Sequence, residues 1–296
     1  MTRITDALKR TRAGALAPLA GDERAADAIQ FFAPGQPAVA ISWELRDESP
    51  AAQPVSVRTA SSGPGQARYP MRAAPTAWPS TPQLVVSPEV NPGTRDQLRR
   101  LAAMLLEAQH DHHIKVIVVT SATEGDGKTL TMVNLALTLS EFYEQRVLLI
   151  DADLQRPSVH ALLGRSNARG LSDALSGARP LPAITVSEHL SVLTAGTSHD
   201  DPLKALVSDR LRVVVEVARS QYDWVLIDAA PGAHATIVAS TADVALLVVR
   251  SGQTPYDAAR RAAEVIGVDR IFGVVLNHAR VGPARTVAAD PSSRAH

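Results

Sequence analysis

Short runs of β-branched and other aliphatic residues recur along the chain and constrain its fold more than any other feature. They lie at residues 116–120, 147–150, 225–227, 244–249 and 274–276. The longer segments between them place apolar residues at helical spacing. Strands that are apolar on both faces and alternate with helices are typical of parallel sheets. The sequence therefore predicts an α/β fold, with a mostly parallel sheet covered by helices on both faces.

The distribution of proline divides the chain of 296 residues into three parts. Twelve of the 20 prolines precede Gly93, in a stretch without a sustained apolar period. We predict that residues 1–93 form a disordered, proline-rich linker that begins with a short basic helix at residues 2–12. From residue 94 the pattern changes, and leucines recur on one helical face. Residues 94–280 are expected to form the folded domain, and residues 281–296 a disordered tail.

The composition excludes several classes of function. Lys and Arg number 30 and Asp and Glu number 30, so no overall field draws the chain to nucleic acid, and we expect no nucleic-acid partner. The absence of cysteine excludes disulfides, thiolate metal sites and cysteine nucleophiles. No apolar run approaches the length of a membrane span. We therefore expect a cytoplasmic protein, and contact of the basic residues 2–12 with the inner face of the plasma membrane stays open.

The first apolar run leads into a glycine-rich loop. Residues 121–129 of this loop read Ser-Ala-Thr-Glu-Gly-Asp-Gly-Lys-Thr, and a helical pattern follows them. Gly125 and Gly127 allow successive backbone N–H groups to turn inward, and a helix N-terminus adds positive potential. Lys128 would neutralise phosphate charge, and the hydroxyl of Thr129 would bind Mg²⁺. The loop therefore predicts a site for the phosphates of a nucleotide.

Carboxylates follow two further apolar runs. Asp151 and Asp153 come after the second run, and Asp228 follows the third. In a parallel sheet, the carboxyl ends of the strands meet at the edge where ligands bind. The three carboxylates are therefore expected beside the glycine-rich loop, where they favour metal binding. Asp153 has a second interpretation, as a helix cap or a turn former.

Three segments of the chain together resemble a known family. They are the loop segment 119–129, the strand and its extension at 148–157, and the strand at 223–228. These segments are similar to the Walker A, A′ and B motifs of the bacterial tyrosine kinases of capsule and exopolysaccharide export, the BY-kinases. The resemblance covers residues 94–280. It implies the Par/Min-like α/β fold of the P-loop NTPase superfamily.

The resemblance also implies roles for individual residues, with ATP and Mg²⁺ as cofactors. The implied catalytic residues are Lys128, Asp151, Asp153 and Asp228, and the implied metal ligands are Thr129, Asp151 and Asp228. The implied nucleotide-binding residues are Glu124, Gly125, Asp126, Gly127, Lys128, Thr129, Leu130 and Asn277. Among them, Asn277 is similar to a residue that contacts the adenine edge.

By the same resemblance, the chain is expected to be an ATP-dependent protein-tyrosine kinase that regulates the chain length and export of an exopolysaccharide or capsule. Its expected partners are a separate, membrane-spanning polysaccharide co-polymerase, a protein-tyrosine substrate and further copies of itself in a homo-oligomer. Three features depart from the family pattern. Residues 281–296 lack the usual tyrosine cluster, and the helix after residue 94 has Asp96 and Arg99 but Ala102 where a second Arg is usual. The segment 229–235 after Asp228 is shorter than in the family and lacks its usual acidic loop.

Two alternative functions stay open. The missing tyrosines and the short segment 229–235 after Asp228 are compatible with a nucleotide-dependent regulator that binds the co-polymerase without phosphorylating it. A partitioning ATPase of the Par/Min type shares the loop, but such proteins carry a signature lysine where this chain has Thr123. That position weighs against the partitioning ATPase.

Overall fold

The computed structural model is an α/β domain in which residues 38–41, 81–178, 181–197, 202–207 and 209–278 are described. The described strands are β1 (Ala38–Ile41), β2 (Val116–Ser121), β3 (Val147–Asp151), β4 (Ile184–Thr185), β5 (Leu190–Leu193), β6 (Trp224–Asp228), β7 (Val244–Arg250) and β8 (Ile271–Asn277). The described α-helices are α1 (Pro92–His112), α2 (Lys128–Glu141), α3 (Val159–Leu162), α4 (Leu171–Leu175), α5 (Pro202–Val207), α6 (Asp209–Gln221), α7 (Ala233–Ala239) and α8 (Tyr256–Ile266). A 3₁₀ turn, Val268–Arg270, precedes β8.

The described strands form one eight-stranded sheet in the order β1-β8-β7-β2-β6-β3-β5-β4. Neighbouring strands are parallel, except that the short outer strand β4 runs antiparallel to β5. The predicted mostly parallel sheet is therefore confirmed. At its centre β6 lies between β2 and β3, so three strands that are far apart in the sequence end side by side.

The apolar core occupies both faces of the sheet, because successive strand residues point to opposite sides. Along β2, Val116 and Val118 pack into one apolar cluster, and Ile117 and Val119 pack into the other. Helices α1 and α2 contribute to the second cluster, and α6, α7 and α8 contribute to the first. Helices on both faces explain why the strand runs are apolar throughout rather than alternating.

Helix α1 follows directly from the leucine spacing. Leu98, Leu101 and Leu105 are buried on one side of it. Its start is stabilised by Asn91, whose side-chain oxygen accepts the N–H of Gly93, and by Pro92 in the first turn. The predicted helix is confirmed, and it begins two residues before the expected domain boundary.

The folded domain itself also begins before residue 94. Leu84, Val85 and Val90 are buried. Asn134 of α2 accepts the N–H of Val85 with its Oδ1 and donates from Nδ2 to the carbonyl of Gln83 at 3.1 Å. Residues 81–91 were therefore wrongly included in the predicted linker. A single run of three apolar residues, 84–86, between prolines has no period that would have distinguished it from a linker.

A second departure from the predicted linker is β1, which pairs with β8 in parallel and aligns Ile41 with Asn277. The expected basic helix at residues 2–12 and the expected tail at 281–296 lie outside the described residues. Among the described helices, none combines the length and the hydrophobicity required to cross a bilayer.

Candidate active site

The glycine-rich loop and the strand-end carboxylates meet at the carboxyl edge of the sheet. The loop leaves β2 after Ser121 and enters α2 at Lys128. Asp151, the last residue of β3, lies directly opposite Asp228, the last residue of β6. Because β2, β6 and β3 are parallel neighbours, their ends share one edge. The tertiary structure thus brings Lys128 and both carboxylates together.

Two glycines shape the loop. Gly125 has φ +82° and Gly127 has φ +91°, a backbone region that other residues rarely adopt. A Cβ on Gly127 would lie 1.9 Å from Nδ2 of Asn277, whereas a Cβ on Gly125 would meet no atom within 4 Å. Gly127 is therefore required by its backbone angle and by the close approach of β8. The space beside Gly125 is open to a ligand.

Lys128 begins α2, and its ammonium lies between two carboxylates. Its Nζ is 2.9 Å from Asp153 Oδ2 and 3.1 Å from Asp228 Oδ1. Burial by itself would lower the pKa of Lys128, but the negative charges of Asp228 and Asp153 outweigh burial and raise this pKa. The lysine is therefore charged at neutral pH and balances part of the charge of the buried acids.

Thr129 contacts the same group of acids. Its Oγ1 donates a hydrogen bond to Asp228 Oδ2 at 2.5 Å, and it accepts one from Ser158 Oγ at 3.2 Å. Asp228 is fully buried, and this burial raises the pKa of its carboxyl even though Lys128 and Thr129 oppose the change. Ser158 was not among the predicted residues. It follows the Walker A′ extension, and only the tertiary structure shows that it reaches the loop.

Asp151 is held in place by backbone N–H groups. Its Oδ2 accepts hydrogen bonds from Ser158 and Val159, each at 3.1 Å, and its Oδ1 accepts one from the N–H of Asp153 at 3.2 Å. Burial and the nearby charge of Asp228 raise the pKa of Asp151 to about 7. Asp151 therefore has a fixed orientation and can exchange a proton near neutral pH.

Asp153 makes contacts that fit both interpretations drawn from the sequence, a carboxylate beside the loop and a turn former. Its Oδ2 pairs with Lys128, and its Oδ1 accepts the N–H of Arg156 at 3.0 Å. The carboxylate thus supports a turn and also faces the loop lysine. The exposed side chain of Arg156 forms an ion pair with Glu124, which links the Walker A′ extension to the outer side of the loop.

The remaining predicted nucleotide-binding residues have contacts within the protein. Leu130 lies in the first turn of α2 and packs, partly buried, against the core. Asp126 is buried, and its carboxylate accepts hydrogen bonds from Thr123 and Thr254. Its backbone carbonyl accepts one from Asn277 at 2.7 Å. The adenine contact implied for Asn277 stays a prediction.

The oxygen ligands and backbone N–H groups at this edge suit a nucleotide with bound Mg²⁺. Mg²⁺ prefers oxygen ligands, and the hydroxyl of Thr129 and the carboxylates of Asp151 and Asp228 supply them. The N–H groups of the loop and the N-terminus of α2 suit phosphate oxygens. Three carboxylates against one lysine also leave negative charge that a divalent cation would balance.

Comparison with known proteins connects this geometry to a family. A family model described as an AAA domain matches residues 114–259. The tyrosine-protein kinase YwqD of Bacillus subtilis is 32% identical over 190 residues, which are 62% of this chain and 80% of YwqD. The tyrosine-protein kinase etk of Escherichia coli is 32% identical over 193 residues, but the match spans 26% of that larger protein.

Solved kinase domains share the fold. The kinase domain of the Escherichia coli tyrosine kinase ETK superimposes with a TM-score of 0.58 at 30% identity, covering 62% of this chain and 74% of that domain. The BceF tyrosine kinase domain gives a TM-score of 0.56 at 35% identity, with 62% of this chain and 77% of that domain covered. Together with the match to YwqD, these relatives establish that the chain belongs to the family of bacterial tyrosine-protein kinases.

Proposed function

We propose that this tyrosine kinase transfers the γ-phosphoryl group of ATP to a tyrosine of a protein in exopolysaccharide or capsule export, and so regulates polymer chain length. The observation that carries the proposal is the grouping of Lys128 and Thr129 with Asp153 and Asp228 within hydrogen-bonding distance at one sheet edge. The resemblance to BY-kinases supplies the export context.

The loop residues have binding roles in this proposal. The N–H groups from Gly125 to Thr129 hold phosphate oxygens, and Lys128 exchanges its carboxylate partners for oxygens of the β- and γ-phosphates. Thr129, Asp151 and Asp228 would hold Mg²⁺. The bound ion would supply charge neutralisation on the transferred group.

The transfer step proceeds by direct displacement. The phenolic oxygen of the acceptor tyrosine attacks the γ-phosphorus, and the bond from this phosphorus to the β–γ bridging oxygen breaks. The phenolic proton passes to the carboxylate of Asp153, whose Oδ2 lies 2.9 Å from Lys128 Nζ. Lys128 stabilises the negative charge that develops on the departing ADP.

The conformation of Thr123 supports the kinase over the partitioning ATPase. Its N–H and its hydroxyl both donate to the carboxylate of Asp126, each at 2.8 Å. The position that carries a signature lysine in the Par/Min type is therefore engaged inside the loop. The proposed partners are a membrane-spanning polysaccharide co-polymerase and further copies of the chain in a homo-oligomer, at the cytoplasmic face of the membrane.

Phosphotyrosine formation tests the proposal. The purified chain is incubated with labelled ATP and Mg²⁺, with and without the cytoplasmic segments of the co-polymerase, and phosphotyrosine is mapped by mass spectrometry. We expect phosphotyrosine with the wild type and about 100-fold less, or none, with Lys128→Met. A chain that binds ATP but labels neither itself nor the co-polymerase would support the non-kinase regulator instead. A chain that binds neither ATP nor ADP would contradict both functions.

A further inference from the structure

Asp126 connects the phosphate loop to a distant part of the chain. It is 2% exposed, and its Oδ1 accepts hydrogen bonds from the hydroxyl of Thr123 at 2.8 Å and from the hydroxyl of Thr254 at 2.7 Å. Its Oδ2 accepts the N–H of Thr123 at 2.8 Å. Thr123 lies within the loop, but Thr254 lies between β7 and α8, 128 residues from Asp126 in the sequence. One carboxylate therefore ties the loop to the turn after β7.

Asn277 makes a second connection from the same region. Its Nδ2 donates to the backbone carbonyl of Asp126 at 2.7 Å, and its Oδ1 accepts the N–H of His278 at 2.8 Å. The side chain is 1% exposed and packs so closely against Gly127 that a Cβ there would overlap Nδ2. The side-chain amide of Asn277 therefore contacts the loop backbone with its nitrogen and the backbone of the next residue with its oxygen.

Both connections come from the paired ends of β7 and β8. Arg250 at the end of β7 lies opposite Asn277 at the end of β8. The N–H of Ser251 donates to the carbonyl of Asn277 at 2.8 Å, and the N–H of Arg250 donates to Thr254 Oγ1 at 2.7 Å. Thr254 is thus bonded to the end of β7, and Asn277 is bonded to the residue that follows β7, in addition to their contacts with Asp126.

We infer that Asn277 and Thr254 are positioning residues that hold the phosphate loop in its binding conformation through Asp126. This inference rests on the proposed nucleotide site, and the adenine contact implied for Asn277 stays a separate prediction. Glycines at two of its positions make the isolated loop flexible. Hydrogen bonds from Thr254 and Asn277 to Asp126 would hold the loop in one conformation, so that its N–H groups bind phosphates without reorganisation.

Calorimetric binding of ADP and of inosine diphosphate, with Mg²⁺, tests the inference on the full chain. The two ligands share their phosphates and differ in the base edge. We expect Asn277→Ala to raise the dissociation constant of each ligand by about tenfold, as is typical for the loss of a buried hydrogen bond. A loss confined to ADP would show that Asn277 contacts adenine without holding the loop and would overturn the inference.

Thr254 provides a test that does not depend on the folding of the Asn277 variant. We expect Thr254→Val to weaken both ligands by about tenfold, and Thr254→Ser, which keeps the hydroxyl, to bind within about twofold of the wild type. Thr241→Val is the matched control, because its hydroxyl bonds the carbonyl of Val238 in its own turn. Wild-type affinity in Thr254→Val would contradict the inference. Failure of the wild type to bind either ligand would instead contradict the proposed function.

Discussion

Lys128 Nζ lies 3.1 Å from Asp228 Oδ1 at the centre of the sheet edge, and both side chains are almost removed from solvent. The carboxylate is fixed by the last position of β6, and the ammonium is fixed by the first position of α2. Since β2, which leads into the loop before α2, is the neighbour of β6, the strand order brings the two side chains together. The ammonium is therefore already in place for phosphate oxygens.

Replacing Lys128 tests the ion pair and the proposed activity together. Lys128→Met leaves Asp153 and Asp228 without their shared cation, and we expect the free energy of unfolding at pH 7 to fall by about 3 kcal/mol. Tyrosine phosphorylation is expected to fall by about 100-fold or more. Urea unfolding and labelled-ATP assays measure the two effects. Arg212→Met, on the exposed surface of α6, is the control and should change neither quantity.

Replacing Asp153 separates binding from transfer. Asp153→Asn retains an oxygen for the N–H of Arg156 but removes the proposed proton acceptor. We expect the dissociation constant for ADP to change by less than about threefold, while phosphotransfer falls by about 100-fold. Asp269→Asn, at an exposed position in the 3₁₀ turn, should leave both unchanged. Full phosphotransfer by Asp153→Asn would remove Asp153 from the catalytic set.

Substituting each loop glycine by alanine separates two contributions to the loss of stability, the steric clash of the added methyl group and the strain of a positive φ. Gly125 and Gly127 share positive φ values, but only a Cβ on Gly127 would collide with Asn277. We expect Gly125→Ala to lower the free energy of unfolding by about 1–2 kcal/mol, and Gly127→Ala to lower it by more. Equal losses, measured by urea titration, would show that Asn277 adjusts to the added methyl group at little cost.

The raised pKa of Asp151 predicts a pH dependence of stability. Folding raises this pKa from its ordinary value of 3.8 to about 7. Between these two pH values the folded state keeps a proton that the unfolded state has lost, so the free energy of unfolding falls as the pH rises. We expect this contribution to reach about 2–4 kcal/mol and to level off above about pH 8.

Asp151→Asn isolates that contribution, because an amide does not titrate. Urea unfolding of both proteins at several pH values, with a chelator present, gives the difference in unfolding free energy. The wild type should lose stability relative to the variant from about pH 4 to about pH 7. A difference that stays constant over this range would contradict the raised pKa.

The early start of the folded domain is tested by Leu84→Ala. Leu84 is fully buried, although the sequence predicts that it lies in the linker of residues 1–93. We expect the substitution to lower the free energy of unfolding by about 2–4 kcal/mol, as for other leucines in a core. Val207, which is 63% exposed, provides the control, and Val207→Ala should cost less than about 0.5 kcal/mol.

Much of the candidate site could be predicted from the sequence because its signals are local. The turn of Gly125 and Gly127 into Lys128 and Thr129 occupies a few consecutive residues, and each strand-end carboxylate follows its own apolar run. The tie from Asp126 to Thr254 was not predicted, since its two ends are 128 residues apart and neither has a motif of its own.

The sequence by itself determined which segments become strands and helices and which side chains end the strands, because backbone preference and apolar periodicity act over short stretches. Only the tertiary structure decided that β6 lies between β2 and β3, that Asn277 packs against Gly127 and that Asn134 holds residues 83–85. These contacts depend on strand order and on the packing of whole elements. Both are properties of the complete fold, so no short stretch of sequence specifies them.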